Sequence, residues 1–151
     1  MPDLPTPFTG RFIDGEHLLP VRVYYEDTDA TGIVYHGNYL RYCERGRTDF
    51  IRMAGVSHTG LRARDPAIVF VVRRVELDFI RPAKVDDALL VRTRYERLQG
   101  PRIHIAQQVE RDSEVLAKAK VEVVCITLEG RPVRPPHDMV NKLSAFFARE
   151  S

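Results

Sequence analysis

The sequence predicts an α+β domain in which one long helix packs on an antiparallel sheet. Apolar and small side chains recur at three-to-four spacing from Tyr39 to Ala54, the stripe of a buried helix. From Val69 to Leu128 the period changes to two, in four runs parted by short turns. A chain of 151 residues fits one domain and can bury a core without disulfides.

Residues 1–20 hold Pro2, Pro5, Pro7, Gly10, Gly15 and Pro20 and read as an N-terminal extension, with a single domain over 21–151. Val21 to Glu26 is a short β-branched and aromatic strand. In the helix, Tyr39, Cys43, Gly46, Phe50 and Ala54 form the stripe, with Leu40 and Ile51 beside it. Arg41, Glu44, Arg45, Thr48, Asp49 and Arg52 fill the other side. Asn38 reads as the N-cap and Gly55 as the stop, for a helix of roughly 24 Å. Gly46 in the stripe suits a close approach to a sheet.

Residues 55–66 read as loop. The strand from Val69 to Phe79 is apolar on both faces at its start, which suits a central strand or a subunit contact. Arg81-Pro82 ends it. Leu89 to Glu96, Ile103 to Glu110 and Val115 to Leu128 follow, with turns at Gln99-Gly100-Pro101 and Arg111 to Glu114. Met139 to Phe147 reads as a closing helix. Four consecutive strands joined this way read as a meander, giving about five strands in all.

The charge is nearly balanced, 23 basic against 21 acidic residues, so no strong field favours nucleic acid. Cys43 and Cys125 fall in apolar patterns and read as buried free thiols. No start resembles a signal peptide and no apolar run approaches a membrane span, which reads as a cytoplasmic protein without membrane insertion.

The chemistry concentrates in Tyr24 to Tyr39, between a strand and the helix. Asp29 offers a base or nucleophile and His36 a titratable partner. The N–H groups of His36 and Gly37 at the helix start offer an oxyanion site. Spacing alone leaves Asp29 open between a loop carboxylate and a catalytic one. Asp27 reads as structural, and His17, His58, His104 and His137 show no metal-ligand spacing.

Asp27-Thr28-Asp29-Ala30-Thr31-Gly32-Ile33-Val34-Tyr35-His36-Gly37-Asn38-Tyr39 resembles the hotdog-fold thioesterases. With Tyr42 to Thr48, Phe70 to Arg74 and Phe79 to Ala83, it is most similar to the 4-hydroxybenzoyl-CoA thioesterase family, in its Tol–Pal-associated acyl-CoA thioesterase branch. The resemblance covers roughly residues 20–130. It implies a long helix wrapped by a curved sheet, assembled as dimers or tetramers with the active site at a subunit interface. It implies hydrolysis of acyl-CoA with Asp29 as catalytic carboxylate, joined by His36 and Tyr25, and no metal or other cofactor. Tyr35 would line the acyl pocket. Arg74 and Arg81, with Arg73 and Lys84, are candidates for the phosphates of coenzyme A. Glu44 is a reserve acid, since another hotdog branch uses a helical glutamate. An acyl carrier protein stays open as the alternative acyl donor. Two rivals stand: a non-catalytic acyl-binding scaffold subunit, and a hotdog dehydratase.

Overall fold

The computed structural model describes residues 3–147. Its strands are β1 (Arg11–Ile13), β2 (Glu16–Arg22), β3 (Ile68–Phe79), β4 (Ala88–Gln99), β5 (Arg102–Arg111) and β6 (Glu114–Thr127). Its helices are α1 (Gly37–Met53), α2 (His58–Arg62) and α3 (His137–Ser144). All strands join one antiparallel sheet in the order β1-β2-β4-β5-β6-β3. The α+β class and the helix-on-sheet layout hold, with six strands rather than about five.

Two expectations are corrected. Residues 11–20 are not an extension but most of the β1–β2 hairpin, and β2 pairs with β4. Asp14-Gly15 carries the hairpin, with φ of 52° and 79°. Such a dipeptide between apolar residues is a strong hairpin signal, which the surrounding prolines obscured. The meander is also shorter than expected. Tight turns link β4, β5 and β6, with positive φ at Gly100 in the first and at Asp112 and Ser113 in the second. The β3–β4 connection instead crosses the sheet end, and β3 pairs with β6. That makes β3 an edge strand, not a central one. Val71 and Val72 on it are 40% and 47% exposed. Arg73 sits at a bulge between Val72 and Arg74 and pairs with Glu122 at 2.5 Å.

The helix spans 17 residues and buries Tyr39, Tyr42, Cys43, Gly46, Asp49, Phe50 and Ile51. Phe50 stacks on Tyr95 of β4 with ring centroids 4.0 Å apart. Gly46 makes the close approach: a Cβ there would lie 2.8 Å from Thr93 Oγ1 and 2.9 Å from Val91 Cγ1. The helix ends before Gly55, whose φ is +94°. Asn38 is inside the first turn rather than at the cap, which is His36.

Asp49 was expected on the solvent side and is buried instead. Its Oδ2 accepts from Gly10 N–H at 2.7 Å and lies 2.7 Å from His17 Nε2. His17 is fully buried. Burial pushes its pKa down, against the hydrogen bond and charge of Asp49. The ring is therefore neutral, with its proton on Nε2 facing the carboxylate. This pair ties the first hairpin to the helix.

Candidate active site

The segment between β2 and α1 is a compact loop fastened at both ends. A single 3-10 turn spans Tyr25–Asp27. The Asp27 carboxylate accepts from Tyr24 N–H at 2.8 Å. Thr28 then bridges to Val34, and Asp29 N–H donates to Ile33 O at 3.1 Å. Asp29 therefore heads a closed turn over residues 29–33. Gly32 N–H returns to Asp29 O at 3.0 Å, and Gly32 takes a φ of +84° that a side chain resists.

One oxygen of Asp29 is held and the other is free. Oδ1 accepts from Thr31 N–H at 2.8 Å and Thr31 Oγ1–H at 2.5 Å. Oδ2 has no hydrogen-bond donor among the described residues. The carboxyl lies below the usual aspartate range, first through the Thr31 hydroxyl, then its N–H, and least through the charge of His36. The group is exposed, ionised at neutral pH and oriented by one oxygen.

The loop is bonded to the helix start. Asp27 C=O accepts from Tyr35 N–H at 2.9 Å and from the Asn38 side-chain amide at 2.8 Å. Tyr42, one turn further along α1, buries its hydroxyl without a hydrogen bond of ordinary geometry. Burial first, and the nearby Asp27 charge second, keep that phenol un-ionised. The crossover after β3 closes the other side. Val34 N–H donates to Ala83 O at 2.9 Å, and Tyr39 Oη accepts from Ala83 N–H at 3.3 Å.

At the helix start Asn38 N–H is satisfied by Tyr35 O at 2.9 Å. The N–H groups of His36 and Gly37 have no acceptor among the described residues, as the first groups of a helix do not. The Tyr35 ring packs against Gly37: a Cβ there would meet its Cε1 at 2.7 Å. The His36 ring sits 4.3 Å from the Tyr35 ring and 6.2 Å from that of Phe79.

One loop and helix start thus bring Asp29, Tyr35, His36 and Gly37 together. Tyr25 lies on the same loop, its carbonyl accepting from Thr28 N–H and Thr28 Oγ1–H, and its side chain is 85% exposed. Arg74 pairs with Glu76 at 2.7 Å and Arg81 with Glu114 at 3.1 Å, both on the surface. Glu44 lies on the exposed side of α1 and makes no ion pair among the described residues. Asn38 was read as a cap and acts instead as the tie between loop and helix. Its position two residues after His36 was visible, but its partner, a backbone carbonyl eleven residues back, was not.

The Thioesterase-like superfamily model matches residues 23–143. The chain belongs to that superfamily. It is 38% identical over 128 residues to the acyl-CoA thioesterase YbgC of Haemophilus influenzae, covering 84% of this chain and 93% of that one. A probable thioesterase from Bartonella henselae has 42% identity and a TM-score of 0.78, covering 80% of this chain and 99% of the other. A Thermus thermophilus thioesterase solved with coenzyme A and Zn has 25% identity and a TM-score of 0.76, over 89% and 96% of the two chains. As a thioesterase-superfamily hotdog domain, this chain wraps its sheet around α1 as the resemblance implied.

Proposed function

We propose that Asp29 is the catalytic carboxylate of this protein, an enzyme that hydrolyses acyl-CoA to a free acid and coenzyme A. The chain is a thioester hydrolase, in line with its YbgC relatives. The observation that carries the site is the loop itself. It carries a free, ionised Asp29 oxygen and leads directly into two unspent N–H groups at a helix start.

A thioester carbonyl needs an attacking oxygen and donors for the charge that forms. The His36 and Gly37 N–H groups, at the positive end of α1, receive the oxyanion. Asp29 either adds to the carbonyl carbon, giving an anhydride that water cleaves, or takes a proton from the attacking water. The thiolate leaves with little help, since a free thiol has a pKa of about 8.5. Thr31 keeps Asp29 anionic and fixes its rotamer. His36 stands beside the site as a proton carrier.

The active unit in this reading is at least a dimer. An edge strand with exposed Val71 and Val72, followed by exposed Phe79 and Ile80, is a pairing surface. A second subunit there supports the roles of Tyr25, Arg74 and Arg81, which lie open on the isolated chain. We also take the cytoplasm as its compartment, because Cys43 and Cys125 are buried free thiols. Among the described residues no helix is long and apolar enough to cross a membrane.

Thiol release from a panel of aliphatic and aromatic acyl-CoAs, beside calorimetric titration with a non-hydrolysable acyl-CoA, tests the reading. Catalytic release supports it. Tight binding without release supports a scaffold subunit instead. Repeating the panel with acyl carrier protein thioesters decides the donor.

A further inference from the structure

Arg47 on α1 is half-buried, next to the buried Gly46, where a cation is costlier than in open solvent. Its Nη1 donates to Gln107 Oε1 at 3.0 Å, and no carboxylate lies within ion-pair distance of it among the described residues. Gln107 is fixed in turn. It is 2% exposed, and its Nε2 donates to Cys43 O and Thr93 Oγ1, both at 2.8 Å. Every polar atom of Gln107 is spent on holding Arg47 in place and joining α1 to β4. Burial presses the guanidinium pKa down from its ordinary value. An arginine stays charged even so.

The fixed cation faces an apolar groove between α1 and the β3–β6 pair. A cavity of about 190 Å³ runs there from Leu40 past Cys43 and Val72 to Arg47. A second, of about 80 Å³, continues beyond Arg47 toward Ile51 and Met139. Leu40 is within one turn of the Gly37 N–H, and Arg47 is about 15 Å further along the helix axis than Gly37. Its side chain leans back toward the helix start and shortens that span. A ligand with its thioester at the helix start and its acyl chain in this groove would bring its far end to Arg47.

We propose that Arg47 selects acyl groups that end in a carboxylate, so that the preferred substrates are medium-length dicarboxylic acyl-CoA thioesters. Glu44 acts on Arg47 only from the rim of the groove, beyond ion-pair distance, so an anion at the acyl end supplies the direct partner that the described residues do not. A plain alkyl end would cover the half-buried cation without giving it a charged partner. Glu44 borders the same groove from its exposed side, so its charge opposes the anion. This inference rests on the thioesterase reading of the Asp29 loop.

The test is the ratio of kcat/KM for suberyl-CoA over octanoyl-CoA, repeated for adipyl over hexanoyl and sebacyl over decanoyl. The expected wild-type ratio is above one for at least one pair. Arg47→Met should lower it roughly tenfold to hundredfold, the worth of a charge-assisted hydrogen bond. Arg47→Lys keeps part of it, which separates lost charge from lost packing, and Glu44→Gln raises it. Hydrolysis with ratios at or below one in the wild type, or ratios unmoved by Arg47→Met and Arg47→Lys, overturns the selectivity and leaves the thioesterase reading intact. No hydrolysis of any acyl-CoA overturns both.

Discussion

Replacing Asp49 by alanine tests whether the first hairpin belongs to the core. The wild-type carboxylate, with 5% of its side chain exposed, holds Gly10 N–H and His17 Nε2 at 2.7 Å each and Arg52 Nη1 at 3.3 Å. Alanine leaves two buried donors without an acceptor, at about 1–3 kcal/mol each. Losing the pair with the exposed Arg52 adds little, at most about 1 kcal/mol. The expected loss is therefore about 2–7 kcal/mol, a large share of the stability of a small domain. Urea unfolding reads this as a lower midpoint, and amide exchange reads it as lost protection in β1 and β2. Asp49→Asn should fall between, since an amide oxygen in place of Oδ2 can still accept from both donors but without the carboxylate charge. A loss below about 1 kcal/mol in the alanine variant, with β1 still protected, would refute the role given to this pair.

Three further outcomes are expected. Gly46→Ala should destabilise by about 1–3 kcal/mol despite its better helix propensity, because the new methyl meets Thr93, Val91 and Gln107 within 3.1 Å; a raised melting temperature would contradict the close packing of α1 on β4. The buried His17 has a folded pKa below its unfolded value, so between the two only the unfolded chain holds the proton. Its contribution to stability is present above about pH 6.5 and is lost as pH falls below that; the urea midpoint should drop on acidification, and by less in His17→Gln. Thr31→Val removes one of the bonds that keep Asp29 ionised, so the acid limb of the kcat/KM profile should move to higher pH; an unmoved limb would break the link between Thr31 and the reacting carboxylate.

Sequence patterning reached the parts of this fold that are periodic. The α1 stripe, the small residue at its sheet contact and the three strands of the β4-β5-β6 meander all follow from spacing. Pairing partners lie outside that reach. Nothing in Ile68 to Phe79 says that it will sit beside β6, because an apolar strand reads the same at a sheet edge that awaits a partner as at its centre. His17 and Asp49 were invisible for a related reason. Each is polar in a pattern where polarity means solvent, and only their meeting across 32 positions buries them. In the site, Asp29, Tyr35, His36 and Gly37 were legible because they are close in sequence and the loop that holds them is local. Tyr25, Arg74 and Arg81 were carried by resemblance, and on a single chain they face solvent or surface carboxylates. Arg47 was not singled out by spacing, since its partner Gln107 lies on a strand sixty residues away.

The central claim is that Asp29 performs the attack or the proton transfer, and Asp29→Asn measures it most directly. Asparagine keeps an oxygen for the Thr31 donors and sits at an exposed position, so melting temperature and oligomeric state should match the wild type. With the best acyl-CoA of the panel, kcat should fall by about 10²–10⁴-fold, the range for loss of a positioned base. Turnover within about tenfold of wild type, short of that range, in a folded variant would contradict the assignment of Asp29.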